Sequence, residues 1–135
     1  MASASWALQS AIFARLTADA VLTALLGGER MYDDVPVRAE FPYITFGQSS
    51  DRDWSTGTDA GREHLITLHI WSREHGRKQV DEVTDAVRAA LHDAAMTLNG
   101  HRLINLRHEF SDVRRDGDGE TFHGISRYRA VTEPI

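Results

Sequence analysis

No cysteine occurs in the 135 residues. Disulfide frameworks, thiolate nucleophiles and cysteine-ligated zinc are thereby excluded together, and the absence fits a reducing cytoplasm. Long apolar runs are missing too. The most apolar stretch, residues 20–26, is far short of the roughly 20 residues a membrane-spanning helix needs. No basic residue precedes Arg15, so the start lacks the charged segment of a secretory signal, and no membrane partner is expected. A surplus of positive charge is also absent. Lys and Arg number 15 against 20 Asp and Glu, for a formal charge of −5. A dedicated nucleic-acid binder draws most of its affinity from cations laid against phosphates.

Catalytic templates are absent as well. A phosphate loop needs a Gly-Lys pair, and none exists. Gly124-Ile125-Ser126 lacks the second glycine of a nucleophile elbow and falls inside an expected strand. Asp116-Gly117-Asp118-Gly119-Glu120 starts like a calcium loop. It then places Thr121 where the loop needs glycine and Arg127 where it needs glutamate, so a glycine-rich hairpin turn is the better reading. Seven histidines invite a metal site. His64 and His69, and likewise His101 and His108, have opposite parity on their strands, and no pair has the spacing of a helical zinc site. A site from separate strands, His69 with His108 or His123, stays open beside the plainer reading of solvated or partly packed rings. No catalytic residue, cofactor or metal is assigned, and no enzymatic activity is expected.

What is present is one globular domain. Apolar residues make up 41% and charged residues 26%, and a chain of this length buries about two-thirds of its unfolded surface in one core. Leu8, Ile12 and Leu16 recur at helical spacing, predicting a helix over 5–17. Asp19 caps a second over 20–26, stopped by Gly27-Gly28. Met31-Tyr32 reads as a short strand, and a further strand opens at Phe41-Pro42 and runs through 43–48. Residues 49–62 read as a long polar hairpin loop. Over 63–72, Ile66, Leu68 and Ile70 share one face and Leu65, Thr67, His69 and Trp71 the other, the mark of a central strand. Val80, Val83, Val87 and Leu91 make the buried stripe of a helix over 77–95. Asn99-Gly100 turns into a strand over 101–113 with Ile104, Leu106 and Phe110 on one face. Residues 114–119 turn again, and 121–132 form the last strand. The expected fold is α+β: a four-stranded, mainly antiparallel sheet with N-terminal helices and one long central helix packed on one face, as a single domain over residues 1–135.

Two loops hold the candidate interface residues. Trp54 stands alone in a polar loop, where its indole either folds back onto the domain or anchors a contact with another subunit. Asp51, Arg52 and Asp53 beside it can set register with a neighbour. Arg114, Arg115, Asp116 and Asp118 form the second set. Arg107, Arg114, Arg115, Arg127 and Arg129 are the candidates for a sequence-independent DNA-binding module. The carboxylates among residues 101–135 favour instead a mixed, ion-paired sheet face.

An ordered set of segments resembles the tail terminator (tail-completion) proteins of tailed phages and gene transfer agents. The set begins with the Ala- and Leu-rich start, Arg30-Met31-Tyr32-Asp33-Asp34-Val35-Pro36, Phe41-Pro42-Tyr43-Ile44-Thr45 and Asp53-Trp54. It continues with His69-Ile70-Trp71-Ser72, Gly76-Arg77-Lys78, Ala89-Ala90-Leu91-His92 and Gly100-His101-Arg102-Leu103. It closes with His123-Gly124 and Arg127-Tyr128-Arg129-Ala130-Val131-Thr132-Glu133-Pro134. The resemblance implies a virion structural subunit that forms a ring, expected to be hexameric, capping the tail tube. Its implied partners are further copies of itself, the tail-tube protein and a head-completion (stopper) protein, with DNA only as passing cargo. It also implies assembly in the bacterial cytoplasm and a final place at the head-tail junction.

Overall fold

The structure, a computed structural model, describes residues 3–135. The elements in chain order are α1 (Ala4–Thr17), α2 (Ala20–Leu26), β1 (Met31–Tyr32), β2 (Tyr43–Asp53), β3 (Arg62–Ser72), α3 (Lys78–Leu91), β4 (Thr97–Leu98), β5 (His101–Arg115) and β6 (Phe122–Pro134). The Ser3 hydroxyl accepts from the Trp6 N–H to start α1, and Asp19 caps α2 by accepting from the Leu22 N–H at 2.9 Å. Gly27, at φ 83°, ends α2 in the left-handed region that a side chain disfavours. The last helix stops at Leu91, short of residue 95. There Asp93 turns to φ 57° and donates its N–H to the Leu106 carbonyl at 2.8 Å, which draws the chain into the sheet before another helical turn can form.

The sheet has six strands in the order β1-β2-β3-β6-β5-β4, with β1 parallel to β2 and every other pair antiparallel. The expectation of four mainly antiparallel strands is corrected on this point. Its four long strands are β2, β3, β6 and β5. Of the two border strands, each of two residues, β1 is the short strand read at Met31-Tyr32, left out of the expected sheet, and β4 is too short to carry an alternating pattern. The sheet also curls into a half-barrel. One extra residue enters β2 between Phe46 and Ser49, and one enters β5 both between Leu103 and Asn105 and between His108 and Phe110. Such bulges bend a strand and increase its twist.

The bulges also reset the alternation of β5. Leu106 and His108 oppose Ala130 and Tyr128 on the helix-covered face, whereas Ile104 and Phe110 look away and are 47% and 44% exposed. The expected shared face of Ile104, Leu106 and Phe110 is therefore wrong. So is the opposite parity of His101 and His108, which lie on the same side of the strand. A second correction concerns residues 49–62. Ladder pairs run from Ser49↔Ile66 to Asp53↔Arg62, so the connecting loop shrinks to 54–61. This end of the hairpin is polar on both faces and is tied by side-chain ion pairs, so it carries no hydrophobic pattern to read.

The core forms where α1, α2 and α3 close on one face of the sheet. Leu8, Ile12, Leu16, Leu22, Val80, Val83, Val87 and Leu91 meet Ile44, Leu68, Ile70, Leu106 and Tyr128 there. At Gly124 of β6 the helix comes so near that an added methyl group would stand 2.6 Å from Val80 Cγ1. Glycine is what allows α3 to lie flat on the sheet. No single helix among the described residues is long and apolar enough to cross a membrane.

Candidate assembly surfaces

The β2–β3 and β5–β6 hairpin tips leave opposite ends of the sheet, because Arg62 pairs with Thr132 at one end of β3 and Ser72 with Phe122 at the other. Ten residues of β3 separate those pairs, roughly 33 Å at strand rise. The two sets of candidate interface residues therefore do not converge.

At the first tip, Trp54 folds back over two cations. The guanidinium carbons of Arg52 and Arg129 each lie 5.2 Å from its ring centroid. Beneath it Glu63, only 7% exposed, accepts from Arg52 Nε and Arg129 Nε, both at 2.6 Å. The bond from Arg129, followed by that from Arg52, holds the Glu63 carboxyl below its ordinary range against the opposing effect of burial. Trp54 nevertheless stays 47% exposed, so one face of the indole rests on the domain and the other is open. Asp51 takes Arg62 Nε at 3.0 Å. Asp53 is occupied by its own turn, accepting from the Ser55 hydroxyl at 2.6 Å and the Ser55 N–H at 3.1 Å.

At the second tip, Asp118 works inward. Its carboxylate accepts the N–H groups of Thr121 and Glu120, both at 2.9 Å, and the Thr121 hydroxyl at 2.7 Å. The Thr121 backbone and hydroxyl bonds lead in holding its pKa at about 2. Arg115 lies 5.0 Å over the Phe122 ring. The Asp116 carboxylate stands 3.8 Å from His123 Nδ1, while the Arg114 side chain makes no ion pair among the described residues.

Between the tips, the helix-free face holds a stack that sequence reasoning left as one option among several. The His69 and His123 rings share a hydrogen bond of 2.5 Å, His69 Nδ1 to His123 Nε2, and His123 stacks on Trp71 with centroids 3.9 Å apart. Burial is the main cause that pushes both pKa values down, and His69 adds to the effect at His123. Gly47 sits where the His69 ring crosses β2, and a methyl group there would overlap the ring. Of the two pairings left open for a metal site, His69 with His123 brings its rings together, whereas register puts His108 on the other face of the sheet from His69; among the described residues no three or more His, Asp and Glu side chains gather to hold a metal ion. Glu63 went unread in sequence, because it stands between Arg62 and His64 at the polar start of β3, where nothing marks it as buried.

The borders of the sheet complete the geometry. Of the eleven residues of β2 only Ile44 and Thr45 pair with β1, and of the fifteen of β5 only His101 and Arg102 pair with β4. On the β5 border Leu106 and His108 are bonded to Asp93 and His92, so the unpaired ladder positions are residues 46–53 of β2 on one side of the sheet and 109–115 of β5 on the other.

The described surface thus combines largely open strand borders, hairpin tips at both ends of the sheet and mixed charge. The profile of the family Tail completion protein gp17 matches residues 10–133. Among curated relatives, the tail completion protein gp17 of Bacillus phage SPP1 is 25% identical over 89 residues, a span of 66% of this chain and 66% of that protein. A chain in the virion of a native gene transfer agent particle superposes with a TM-score of 0.90 at 30% identity, covering 98% of this chain and 99% of that one. The structure of the bacteriophage SPP1 gp17 protein shares the fold, with a TM-score of 0.62 at 22% identity over 98% of this chain and 91% of that one. The chain belongs to the Tail completion protein gp17 family, a family of structural proteins of phage-type tails.

Proposed function

We propose that this chain is the subunit of a hexameric ring that closes the upper end of a tail tube and joins it to a head-completion protein, with DNA passing through the central opening. Assembly takes place in the bacterial cytoplasm, and the final position is the head-tail junction. The observation that carries the reading is the pair of largely open strand borders on opposite sides of one sheet. A subunit with two different open borders joins head to tail, and head-to-tail joining closes into a ring when the rotation permits. Family membership and the gene transfer agent likeness supply the setting. Hairpin tips at opposite ends of the sheet give such a ring one set of contacts toward the tube and another toward the head. A chain of net charge −5 suits an opening through which DNA slides without being gripped.

The test is to mix purified protein with the tail-tube protein and examine the products by electron microscopy and native mass. Capped tubes and six-membered rings are expected. Protein that stays monomeric at high concentration and with tube protein present overturns the reading.

One observation favours a DNA-binding module instead. Register places Arg52, Arg102, Arg107, Arg114, Arg127 and Arg129 on the helix-free face. Four of them are already committed: Arg52 and Arg129 to Glu63, Arg102 to Glu133 and Arg107 to Asp93. Tight binding to duplex DNA that collapses as salt rises would restore that alternative.

A further inference from the structure

Resting on the ring reading above, the geometry points to the seam between copies: the α1–β2 border of one copy docks on the α3–β5 border of the next. Helix α1 turns Leu8, Ile12 and Leu16 inward, yet its outer side is also apolar. Trp6 and Phe13, two turns apart on one face, are 57% and 42% exposed. With Phe46 and Asp33 they wall an open hollow of about 270 Å³ beside the uncovered part of β2. On the opposite border a cleft of about 470 Å³ runs between α3 and the uncovered part of β5; it is mixed in charge, with Asp81, Asp85 and Asp112 beside Arg77 and Arg88. Arg88 is held by Asp85 at 2.6 Å, whereas Arg77 is exposed, makes no ion pair among the described residues, and is a cation suited to the face of an incoming indole.

Three further features make a second copy the occupant. A head-to-tail contact requires two unlike surfaces on one molecule, and a ridge on one border with a cleft on the other meets that requirement. Strand direction also agrees. Three antiparallel steps, β2 to β3 to β6 to β5, leave β5 antiparallel to β2, so joining them between copies continues the order of the sheet. The charges then match. Continuing β1 past Tyr32 sets Asp33 beside Phe46, where the uncovered part of β2 begins. Antiparallel alignment of residues 47–53 with 109–115, which sets Ser50 opposite Asp112, brings Arg114 and Arg115 to that end. Asp33, Asp34 and Arg114 are exposed and make no ion pair within the described residues.

Because the native chain lacks cysteine, disulfide mapping is unambiguous. Ser50 and Asp112 are both exposed, on β2 and β5, with two strands between them in the sheet. That separation, roughly 14 Å at strand spacing, forbids a bond within one chain. The double variant Ser50→Cys/Asp112→Cys, oxidised with tail-tube protein present, is expected to give a covalent ladder ending at the ring, while each single variant gives none. A parallel pair, Ser50→Cys with Phe110→Cys, covers a shift of register. Rings in micrographs with no ladder from either pair would overturn the seam and leave the ring standing. No rings from the unaltered protein would overturn both. In a second arm, Trp6→Ala/Phe13→Ala is expected to abolish rings with the melting temperature nearly unchanged; rings that persist in this folded variant would refute the ridge.

Discussion

Gly124→Ala is a one-methyl perturbation whose outcome follows from three distances. The new carbon would stand 2.6 Å from Val80 Cγ1, 3.5 Å from Ile70 Cβ and 3.6 Å from Thr84 Oγ1. Carbon atoms prefer about 3.5–4.0 Å, so only the Val80 contact is a clash, short by roughly 1 Å. Val80 is 0% exposed, and a helical valine strongly prefers one rotamer. It cannot swing aside, and α3 must lift. Overpacking of this kind costs about 1–3 kcal/mol. Removing a glycine from a strand interior returns about 0.5–1 kcal/mol. The net expectation is a loss of about 1–2 kcal/mol, read as a lower urea midpoint at unchanged slope. The double variant Gly124→Ala/Val80→Ala is expected to be less destabilised than the sum of the two single changes, because deleting the valine methyls makes room for the new one. A neutral Gly124→Ala, or strict additivity with Val80→Ala, would refute the close approach of α3 to β6.

Three other predictions concern distinct parts of the molecule. Val87→Asp puts an unpaired charge at a fully buried site and is expected to abolish cooperative unfolding by circular dichroism. Trp54→Ala is expected to cost only about 1 kcal/mol, since it removes two exposed cation–π contacts and leaves the Arg52–Glu63–Arg129 cluster in place, while weakening assembly; a large fall in melting temperature would show that Trp54 belongs to the core. Stability is expected to fall as pH drops through the ordinary histidine value of 6.5, because burial lowers the native pKa values of His64, His69, His108 and His123 and the unfolded chain then binds more protons. The loss continues until pH passes the native values, and His69→Gln/His123→Gln is expected to flatten the slope between pH 7 and 5 in denaturant titrations.

Sequence made the helices and central strand plain because burial on one side leaves a periodic record. Val80, Val83, Val87 and Leu91 lie against the sheet as their spacing requires, and β3 lies between two neighbours as its two apolar faces require. What escaped was structure without such a record. Strand β4 is too short to show a period, and β1, although read as a short strand at Met31-Tyr32, was not counted into the sheet. The polar end of the β2–β3 hairpin is held by Arg52–Glu63 and Asp51–Arg62 rather than by apolar alternation. Bulges in β5 invert the facing of Ile104 and Phe110, and one inserted residue does that without any change in composition. Of the candidate interface residues, Trp54 packs on Arg52 and Arg129 of its own chain and is 47% exposed. Asp53 and Asp118, singled out for their exposure in loops, are taken up in shaping their own turns. A carboxylate flanked by Ser or Thr and glycine reads the same in sequence whether it caps a turn or awaits a partner.

The central claim is that two open strand borders let this chain close on copies of itself above a tail tube. The most direct measurement is cryo-electron microscopy of tail tubes assembled with and without the protein. The account predicts a single ring of six copies at one end of each tube, with β2 of each copy beside β5 of the next. Tubes left bare at both ends while the protein stays monomeric in the same sample would contradict it.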